Sequence, residues 1–335
     1  MSVTIRDIAK RARVSVSTVS YVLNAGPRSI SAPIRDRVLR VINELGYQPN
    51  AIAQSLAAGS THMIGIIIPS STGPFSSGAL RGILSVLQGR HYAGLVNDSR
   101  EQPDLESAYL VDLHRRRVDG IIVLPSRHSQ DRRDYQAQVP EPVVVLNRAM
   151  MPAAGDVVTV DHAAAIFDAT TLLLQAGHRA IGFLVGPAEN EETHGRVESY
   201  RNAYGAAGLV APEQLLRWLP FDEEASIRTT RELLSLPEPP SAILAGSTRL
   251  SIGALRAIIS AGLSIPRDVA FIAYGELPWA ELAICPLTVV EQRVEELGEM
   301  AAQLLLNRLA DDTLPPQQVV LKPRLVARTS HRRPT

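Results

Sequence analysis

Apolar residues near the start of the chain recur at the spacing of a short amphipathic helix. The first apolar stripe consists of Ile5, Ile8, Ala9 and Ala12. Because these positions lie three and four residues apart, they share one face of a helix that Thr4 caps, with Asp7 at its third position. A break at residues 13–15 ends this first helix.

Two more helices are predicted before residue 46. The second runs from Val16 to Asn24 and stops before a Gly-Pro pair. Either Ser15 or Ser17 caps it, and the third helix spans residues 32–45. Their inward apolar positions are Val19, Val22, Leu23, Ile34, Val38, Val41, Ile42 and Leu45. Two short helices joined by a tight turn and closed by a third form the pattern of a helix-turn-helix domain.

From residue 63 onward, short apolar runs alternate with helical stretches. The strand-like runs cover residues 63–68, 92–96, 120–124, 142–146, 157–160, 180–185, 241–245, 269–274 and 287–290. The helical stretches cover residues 77–88, 104–116, 162–175, 195–207, 223–236, 249–260 and 294–309. This alternation predicts parallel sheets with helices on both faces. Nine strands are more than one small doubly wound sheet usually needs, and the interruption of the alternating pattern at Asp161 favours two lobes. The predicted fold class is an N-terminal all-α helix-turn-helix domain plus an α/β core of two doubly wound lobes.

The composition excludes several classes of protein. Aromatic residues make up only 4% of the 335 residues, which argues against an aromatic platform for single-stranded nucleic acid. Cys285 is the single cysteine, so an intramolecular disulfide framework and a cysteine zinc site are excluded. The longest apolar run is shorter than the roughly 18 residues of a spanning helix, and the N-terminus lacks the apolar segment of a secretory signal. We therefore expect a soluble, cytoplasmic protein.

The net charge of zero hides an asymmetry along the chain. Residues 1–60 hold eight basic and three acidic side chains, a net charge of +5, and the remaining 275 residues carry a net charge of −5. A basic head on a mildly acidic body is typical of a nucleic-acid-binding module joined to another domain. A solvated basic helix face is the alternative. The alanine-rich segment from Pro49 to Gly59 is too short for a stable isolated helix, and we expect it to be helical only when docked.

Several motifs carry a family resemblance. They read TIRDIAKRARVSVSTVSYVLN at 4–24, ISAPIRDRVLRVINELGYQPNAIAQSL at 30–56, GHRAIGFLVGP at 177–187 and IPRDVAFIAY at 265–274. With these motifs the chain resembles the LacI/GalR family of bacterial transcription regulators along nearly its whole length. The two head motifs together are highly specific.

The resemblance implies an architecture for the rest of the chain. The core of the family is similar to type I periplasmic sugar-binding proteins, in which three crossings of the chain join two lobes. Here the crossings are expected near Asp161, Gln292 and Lys322. The implied domains are a helix-turn-helix DNA-binding domain at 1–49, a hinge helix or linker at 50–60, and a two-lobed effector-binding and dimerisation domain at 61–330.

The resemblance also implies which residues contact DNA. By match to the family motif, the second helix enters the major groove, and Val16, Ser17 and Tyr21 contact bases. Tyr21 stands where the family often has an arginine that could bind guanine bidentately, so the family's half-site preference does not transfer. The alternative for Val16 and Tyr21 is that they belong to the core of the three-helix bundle. The other implied contacts, mostly with phosphates, are Arg6, Thr18, Ser20, Asn24, Arg28 and Arg35.

A leucine in the hinge has its own implied role. In the family it enters the minor groove as an apolar wedge and kinks the operator. Here that residue is Leu56, and Ala53 would pack against its symmetry mate. Gln54 replaces the usual hinge arginine, so we expect the wedge to be retained with weaker phosphate anchoring. The alternative is that Leu56 packs on the lobes.

A ligand between two α/β lobes lies at the carboxyl ends of the strands. The resemblance makes Arg196 the foremost effector-binding candidate, and a surface salt bridge with Glu192 or Glu198 is the alternative. Phe221 matches an aromatic residue that can stack on a ring. The implied effector-binding residues are Phe75, Ser126, Asn147, Arg148, Asp161, Arg196, Phe221, Thr248 and Glu276.

Two positions depart from the family members that bind neutral sugars. Those members place aspartates where this chain has Thr248 and Gly275, and carboxylates accept paired hydrogen bonds from sugar hydroxyls. Because Arg148, Arg196 and Arg249 are kept, we expect a more positive pocket than usual. Three interpretations stay open: a sugar or sugar derivative, an acidic or phosphorylated ligand, and a pocket that has lost its ligand.

The motifs give no catalytic constellation. The phosphate-loop, dinucleotide, zinc-protease and nucleophile-elbow patterns are absent, and the eight histidines are scattered. We therefore predict no enzyme activity, no cofactor and no metal site. The rival from another class is a periplasmic solute receptor, which would need a signal peptide and would have no use for residues 1–60.

The combined prediction is a transcription repressor that a small-molecule effector controls. Two-fold protein symmetry predicts a homodimer on a pseudopalindromic double-stranded DNA operator. The effector is expected to be a sugar or sugar derivative, and no membrane is involved. Dimer contacts are expected from the helices near 77–88 and 249–260. No leucine-heptad tail follows the last strand, so we expect dimers rather than tetramers.

Overall fold

The computed structural model of the protein describes residues 3–23, 30–47, 59–126, 135–147, 155–189, 191–275, 280 and 285–333, without the side chains of residues 191 and 192. The chain forms two compact units, Met1–His62 and Met63–Thr335. Most of the predicted hinge lies outside the described residues. So do six predicted contact residues, which are Asn24, Arg28, Ala53, Leu56, Arg148 and Glu276.

Three helices make up the first unit, and they are α1 (Ile5–Ala12), α2 (Val16–Leu23) and α3 (Ala32–Leu45). Thr4 and Asp7 form a capping box at the start of α1, in which the Asp7 carboxylate accepts from the N–H of Thr4 at 2.9 Å. At the start of α2, Ser15 Oγ accepts from the N–H of Thr18 at 3.1 Å. Ser15 is therefore the cap of α2, and in α1 and α2 a side chain binds one of the free N–H groups at the start of the helix.

A small apolar core joins these three helices. Its buried residues are Ile8, Ala9, Ala12, Val19, Val22, Val38 and Val41. The other predicted inward residues lie partly buried around it, and they are Ile5, Leu23, Ile34, Ile42 and Leu45. The helical period is thus confirmed at every inward position. The described part of α2 ends at Leu23, one residue before the predicted end.

The described ranges of the second unit contain twelve strands and seven helices. The strands are β1 (Met63–Ile68), β2 (Ala93–Asp98), β3 (Gly120–Val123), β4 (Val143–Leu146), β5 (Asp156–Val160), β6 (Ile181–Val185), β7 (Leu216–Trp218), β8 (Ala242–Ala245), β9 (Ala270–Tyr274), β10 (Thr288–Glu291), β11 (Gln318–Leu321) and β12 (Arg324–Val326). The helices are α4 (Pro74–Gly89), α5 (Pro103–Arg115), α6 (His162–Gln175), α7 (Glu191–Ala206), α8 (Glu223–Leu234), α9 (Thr248–Ser260) and α10 (Val294–Ala310).

The strands form two six-stranded sheets, each at the centre of one lobe. Lobe 1 has the strand order β11-β5-β4-β3-β1-β2, and lobe 2 has the order β12-β10-β9-β8-β6-β7. All pairs are parallel except β10 with β12, which run antiparallel. Apolar clusters cover both faces of each sheet. Two doubly wound α/β lobes are therefore present, as the alternating pattern predicted.

The chain passes between the two sheets three times. The crossings lie between Val160 and His162, between Glu291 and Val294, and between Leu321 and Arg324. These intervals contain the residues at which crossings were expected. The C-terminal part of the chain thus contributes α10 and β11 to lobe 1 and β12 to lobe 2.

The sequence pattern missed some elements and boundaries. Strands β7, β11 and β12 were not predicted, because they lie at sheet edges, are partly exposed and include polar residues, so they lack the continuous apolar run of a buried strand. Helix α4 begins at Pro74 rather than 77, since the fixed φ of proline suits the first helical turn. Helix α7 begins at 191 rather than 195, and strand β2 covers 93–98 rather than 92–96.

Helices α4 and α10 pack with their backbones in direct contact. A Cβ atom on Gly82 would lie 1.9 Å from the carbonyl oxygen of Glu295, and one on Gly298 would lie 2.1 Å from that of Ala79. Each helix therefore uses a glycine where the other helix approaches most closely. This crossing fixes α10, which follows the second crossing between lobes, against the sheet of lobe 1.

Two buried histidines join the end of the chain to lobe 2. Nε2 of His178 donates to the carbonyl oxygen of His331 at 3.1 Å, and its Nδ1 lies 2.9 Å from Ser241 Oγ. Nδ1 of His331 lies 2.8 Å from Thr288 Oγ1. Burial lowers the pKa of both His178 and His331 below the ordinary value of 6.5, because the charged form would lose its hydration.

Acidification is expected to destabilise the folded protein through these two histidines. The unfolded chain protonates them near pH 6.5, whereas the folded protein protonates them only at lower pH. The free energy of unfolding therefore falls as the pH decreases below about 6.5, and above that pH the titration of the two histidines no longer changes it. Thermal melting between about pH 7.5 and pH 5 should show a shallower pH dependence for His178→Gln than for the wild type. The control is His91→Asn, at an exposed site, and equal slopes for His178→Gln and wild type would contradict this assignment.

Candidate functional site

A cavity of about 320 Å³ lies between the two lobes. Lobe 1 lines it with residues that follow β1, β2, β3 and β4, and lobe 2 lines it with residues near the ends of β6, β7, β8 and β9. The lining includes His162 and Gln292, which adjoin two of the crossings between lobes. The cavity thus lies at the carboxyl ends of the parallel strands, where α/β sheets bind small molecules.

Arg196 on α7 is held firmly in the wall of this cavity. Its side chain is buried, with 6% of its surface exposed, and Nη1 donates to the carbonyl oxygen of Gly246 at 2.9 Å. The guanidinium carbon lies 5.5 Å from the ring centre of Tyr274 and 5.9 Å from that of Phe221. Cation–π contacts with two rings and one backbone hydrogen bond therefore set the position of this cation before any ligand arrives. Its burial argues against the alternative of an ion pair at the surface.

A hydrogen-bonded group of three side chains forms another part of the wall. Nδ1 of His162 is hydrogen-bonded to the hydroxyl of Tyr274, and its Nε2 lies 3.2 Å from Asn147 Oδ1. His162 and Tyr274 are buried, and all three residues line the cavity. Asn147 was predicted from the sequence as an effector contact, whereas His162 and Tyr274 were not.

Thr248 and Gly275 stand where family members that bind neutral sugars have aspartates, and these two residues lie next to each other. Gly275 has a φ of +92°, in the left-handed region that favours glycine, and a Cβ atom there would lie 2.0 Å from Thr248 Oγ1. Thr248 therefore fills the space that a side chain at 275 would need. The pocket has no room for a carboxylate at that position.

Two carboxylates elsewhere change the expected charge of the cavity. Glu101 and Glu223 both line it, together with Arg196 and Arg249. Glu223 begins α8 and forms an ion pair with Arg256 at 3.2 Å. The prediction of an unusually positive pocket did not count these acids, which equal Arg196 and Arg249 in number among the described lining residues. Arg148, the third predicted arginine, lies outside the described residues. Glu101 follows the predicted strand β2, so its strand-end position could have indicated it, whereas Glu223 follows β7, which the pattern did not predict.

The other predicted effector contacts separate into two groups. Phe75, Asn147, Arg196, Phe221 and Thr248 line the cavity. Ser126 and Asp161 make other contacts: the N–H of Ser126 donates to Glu106 Oε2 at 2.7 Å, and the Asp161 carboxylate accepts from the N–H of Ala164 at 2.9 Å. Among the described residues, these two therefore serve a loop and a helix cap rather than the cavity wall.

In the first unit, α2 presents a mixed face to solvent. Val16 is 42% exposed and Ser17 is exposed, so neither belongs to the core of the bundle. Tyr21 is half-buried, as are Thr18 and Ser20. The basic side chains Arg6 on α1 and Arg35 on α3 are exposed. The face opposite Val19 and Val22 is thus the part of α2 that a groove of DNA could meet.

Two features are absent from the described part of the chain. No group of three or more His, Cys, Asp or Glu side chains in it is arranged to hold a metal ion. None of the helices within the described ranges combines the length and the hydrophobicity needed to cross a membrane.

Two family models match the chain. The model of bacterial regulatory proteins of the lacI family matches residues 4–50, and the model of the periplasmic binding protein-like domain matches residues 170–331. The chain is 33% identical over 328 residues to the ribose operon repressor of Escherichia coli strain K12, an alignment that covers 98% of this chain and 99% of that protein. The similarity therefore extends over both units.

Two solved structures resemble the fold. A LacI family transcriptional regulator from Enterococcus faecium with bound ribose is 30% identical, has a TM-score of 0.68, and covers 80% of this chain and 98% of its own. The lac repressor dimer bound to operator and the anti-inducer ONPF is 24% identical, has a TM-score of 0.87, and covers 99% of this chain and 100% of its own. At this low identity, the similarity to the lac repressor structure shows a shared fold only.

Proposed function

The chain belongs to the lacI family of bacterial regulatory proteins, and from this we propose that it is a transcription repressor that binds a pseudopalindromic operator as a homodimer. A small carbohydrate in the cavity between the lobes sets its affinity for DNA. This proposal includes the hinge at 50–60 and a location in the cytoplasm with the chromosome. The cavity is a binding site rather than a catalytic one, as expected for a relative of repressors.

One observation carries the DNA-binding part of the proposal. The described part of helix α2, Val16–Leu23, buries just Val19 and Val22, so its outer face is left to solvent. That face offers Val16 and Ser17 at its N-terminal end, where a recognition helix meets base edges. Tyr21 lies one turn further along. Hydroxyls and an apolar side chain suit hydrogen bonding to bases and contact with a thymine methyl group.

The cavity supports a neutral sugar better than an acid. Among the described lining residues, Glu101 and Glu223 equal Arg196 and Arg249 in number, so these four side chains give no net positive charge that would favour a phosphate or carboxylate. Phe221 adds an apolar ring to this polar lining. A volume of about 320 Å³ suits a monosaccharide-sized molecule. The ribose that the regulator from Enterococcus faecium binds belongs to this class.

The proposal is tested with the full chain and two kinds of probe. Selection from a random duplex library should recover sites with two-fold symmetry, and the apparent affinity for them should be measured at fixed salt. Addition of ribose should change that affinity and raise the melting temperature by several degrees at about 100 times its dissociation constant. Ribose 5-phosphate is the acidic comparison. Failure to enrich any duplex would contradict the DNA-binding part, and a response to the phosphate alone would contradict the neutral-sugar part.

Leu56→Ala is expected to weaken binding to the selected operator about tenfold while leaving non-specific binding unchanged. The reason is that an apolar wedge contributes only where the DNA is kinked, whereas non-specific binding is electrostatic and depends on salt. Leu56 lies outside the described residues, so this prediction rests on the family resemblance. The measurement is fluorescence anisotropy with the selected duplex and with a scrambled duplex. The matched control is Leu39→Ala, at an exposed leucine of α3, and an equal loss on both duplexes would contradict the wedge.

A further inference from the structure

Three side chains link the two lobes across the cavity. Asn147 follows β4 in lobe 1 with a φ of 58°, His162 begins α6 in lobe 2, and Tyr274 ends β9 in lobe 2. His162 directly follows the first crossing, and its imidazole is hydrogen-bonded to Asn147 on one side and Tyr274 on the other. This set is called the interlobe hydrogen-bond chain below.

The hydrogen atoms in this chain have one consistent arrangement for a neutral imidazole. Asn147 Oδ1 can only accept, so Nε2 of His162 must carry the proton and donate to it at 3.2 Å. Nδ1 is then the acceptor, and the Tyr274 hydroxyl donates to it. The chain therefore runs from Tyr274 through His162 to Asn147 with every donor pointing toward lobe 1.

The interlobe hydrogen-bond chain is continuous with the part of the cavity wall that holds Arg196. The guanidinium of Arg196 lies over the Tyr274 ring at 5.5 Å, and the His162 and Tyr274 rings are 5.9 Å apart. Both His162 and Tyr274 are buried and line the cavity. A molecule in the cavity and the contact between lobes therefore involve the same side chains.

We propose that the interlobe hydrogen-bond chain stabilises the closed arrangement of the two lobes, and that His162 is the positioning residue through which closure and occupancy of the cavity are coupled. This inference rests on the proposed function, because it concerns the same cavity and its carbohydrate. The hydrogen bond between His162 and Asn147 is the only link of the interlobe hydrogen-bond chain that joins the two lobes. Separation of the lobes at the first crossing must therefore break this bond.

Breaking the interlobe hydrogen-bond chain is expected to weaken the apparent affinity of the protein for its ligand. A ligand that contacts both lobes binds the closed arrangement, so its apparent dissociation constant rises in proportion as the closed fraction falls. Loss of the bond between His162 and Asn147 lowers that fraction. Contacts between ligand and protein are unchanged once the lobes have closed.

Two substitutions break the chain at different links. His162→Asn keeps an acceptor near the position of Nδ1 but is too short to reach Asn147. Tyr274→Phe removes the hydroxyl that holds His162 in the tautomer that donates to Asn147, so it weakens the bond between the lobes indirectly and keeps the ring beside Arg196. Its preserved volume keeps the test available if His162→Asn does not fold. The matched control is Tyr200→Phe, because Tyr200 is a buried tyrosine of the same lobe whose hydroxyl donates to the carbonyl of Ile181 at 2.8 Å.

Calorimetric titration of ribose into the full chain tests the coupling. We expect each single variant to raise the dissociation constant for ribose about tenfold. The double variant should raise it no further, because either substitution alone already breaks the interlobe hydrogen-bond chain. Tyr200→Phe should leave the dissociation constant unchanged even where it lowers the melting temperature. A rise of about 100-fold in the double variant would overturn the proposal, since two independent ligand contacts multiply in this way.

Operator release separates this inference from the proposed function. With the selected duplex, the ribose concentration for half-maximal effect should shift about tenfold in His162→Asn, and the affinity at saturating ribose should match the wild type. A changed plateau with an unchanged midpoint would overturn the coupling role while the proposed function stands. A wild type that binds the duplex but does not respond to ribose would overturn both the carbohydrate part of the proposed function and this inference.

Discussion

Replacing Arg196 with glutamine is expected to weaken ribose binding about 100-fold. Two hydrogen bonds from a charged guanidinium at about 1.5 kcal/mol each amount to about 3 kcal/mol, and each 1.4 kcal/mol is a factor of ten. The guanidinium is already held by the Gly246 carbonyl and the rings of Phe221 and Tyr274, so its orientation loses little freedom when ligand binds. Glutamine has neither the charge nor the planar fork of five donors.

The same helix offers a matched control for this substitution. Arg201 lies five residues further along α7, where it is exposed and forms a bidentate ion pair with Glu213 at 2.7 and 2.8 Å. Arg201→Gln should leave the ribose dissociation constant within a factor of about two, because an exposed ion pair contributes little energy. Titration calorimetry measures both variants. Equal affinities of Arg196→Gln and wild type would remove Arg196 from the binding site.

Asp156→Ala is expected to lower the free energy of unfolding by about 3–5 kcal/mol. The Asp156 carboxylate is 4% exposed and accepts from Nε and Nη2 of Arg308 at 3.0 and 2.9 Å. It also accepts from the N–H of Gln317 at 2.8 Å. The hydrogen bonds that Arg308 donates to this carboxylate raise the pKa of Arg308, so the alanine variant would leave a poorly solvated cation beside an unbound N–H group.

The position of this ion pair explains why its loss should be felt widely. Asp156 begins β5, Arg308 lies near the end of α10, and Gln317 precedes β11. The pair therefore joins the helix and the strand that return from lobe 2 to the sheet of lobe 1. Urea unfolding followed by circular dichroism measures the loss. The control is Asp112→Ala, which breaks an exposed ion pair with Arg116 on α5 and should change the free energy by only a few tenths of a kcal/mol.

Local patterns in the sequence were enough for most of the fold. The helical period gave the three helices of the first unit and their inward residues, because each helix contacts the others through one apolar face. Strands such as β1 are continuous apolar runs, because both faces of their sheet are buried, and this pattern made them recognisable. The close approach of Gly82 to Glu295 was not predictable, because it joins helices more than 200 residues apart. Contacts of that kind leave no periodic signal.

The cavity shows the same division between local and distant information. Family motifs led to Arg196, Phe221 and Asn147, all of which line the cavity. His162 and Tyr274 are separated by 112 residues, and neither stands in a motif that assigns it a role. Their hydrogen bond depends on the packing of α6 beside β9, which only the three-dimensional structure shows.

The contact between Thr248 and Gly275 makes the two positions an epistatic pair. A side chain at 275 collides with Thr248 Oγ1, and the positive φ at 275 adds strain, so an aspartate cannot enter there in one step. Shortening of residue 248 must come first, through an intermediate that has neither the threonine nor the carboxylate. Attempts to change the ligand preference of this protein by single substitutions at 275 will therefore select against folding before they select for a new ligand.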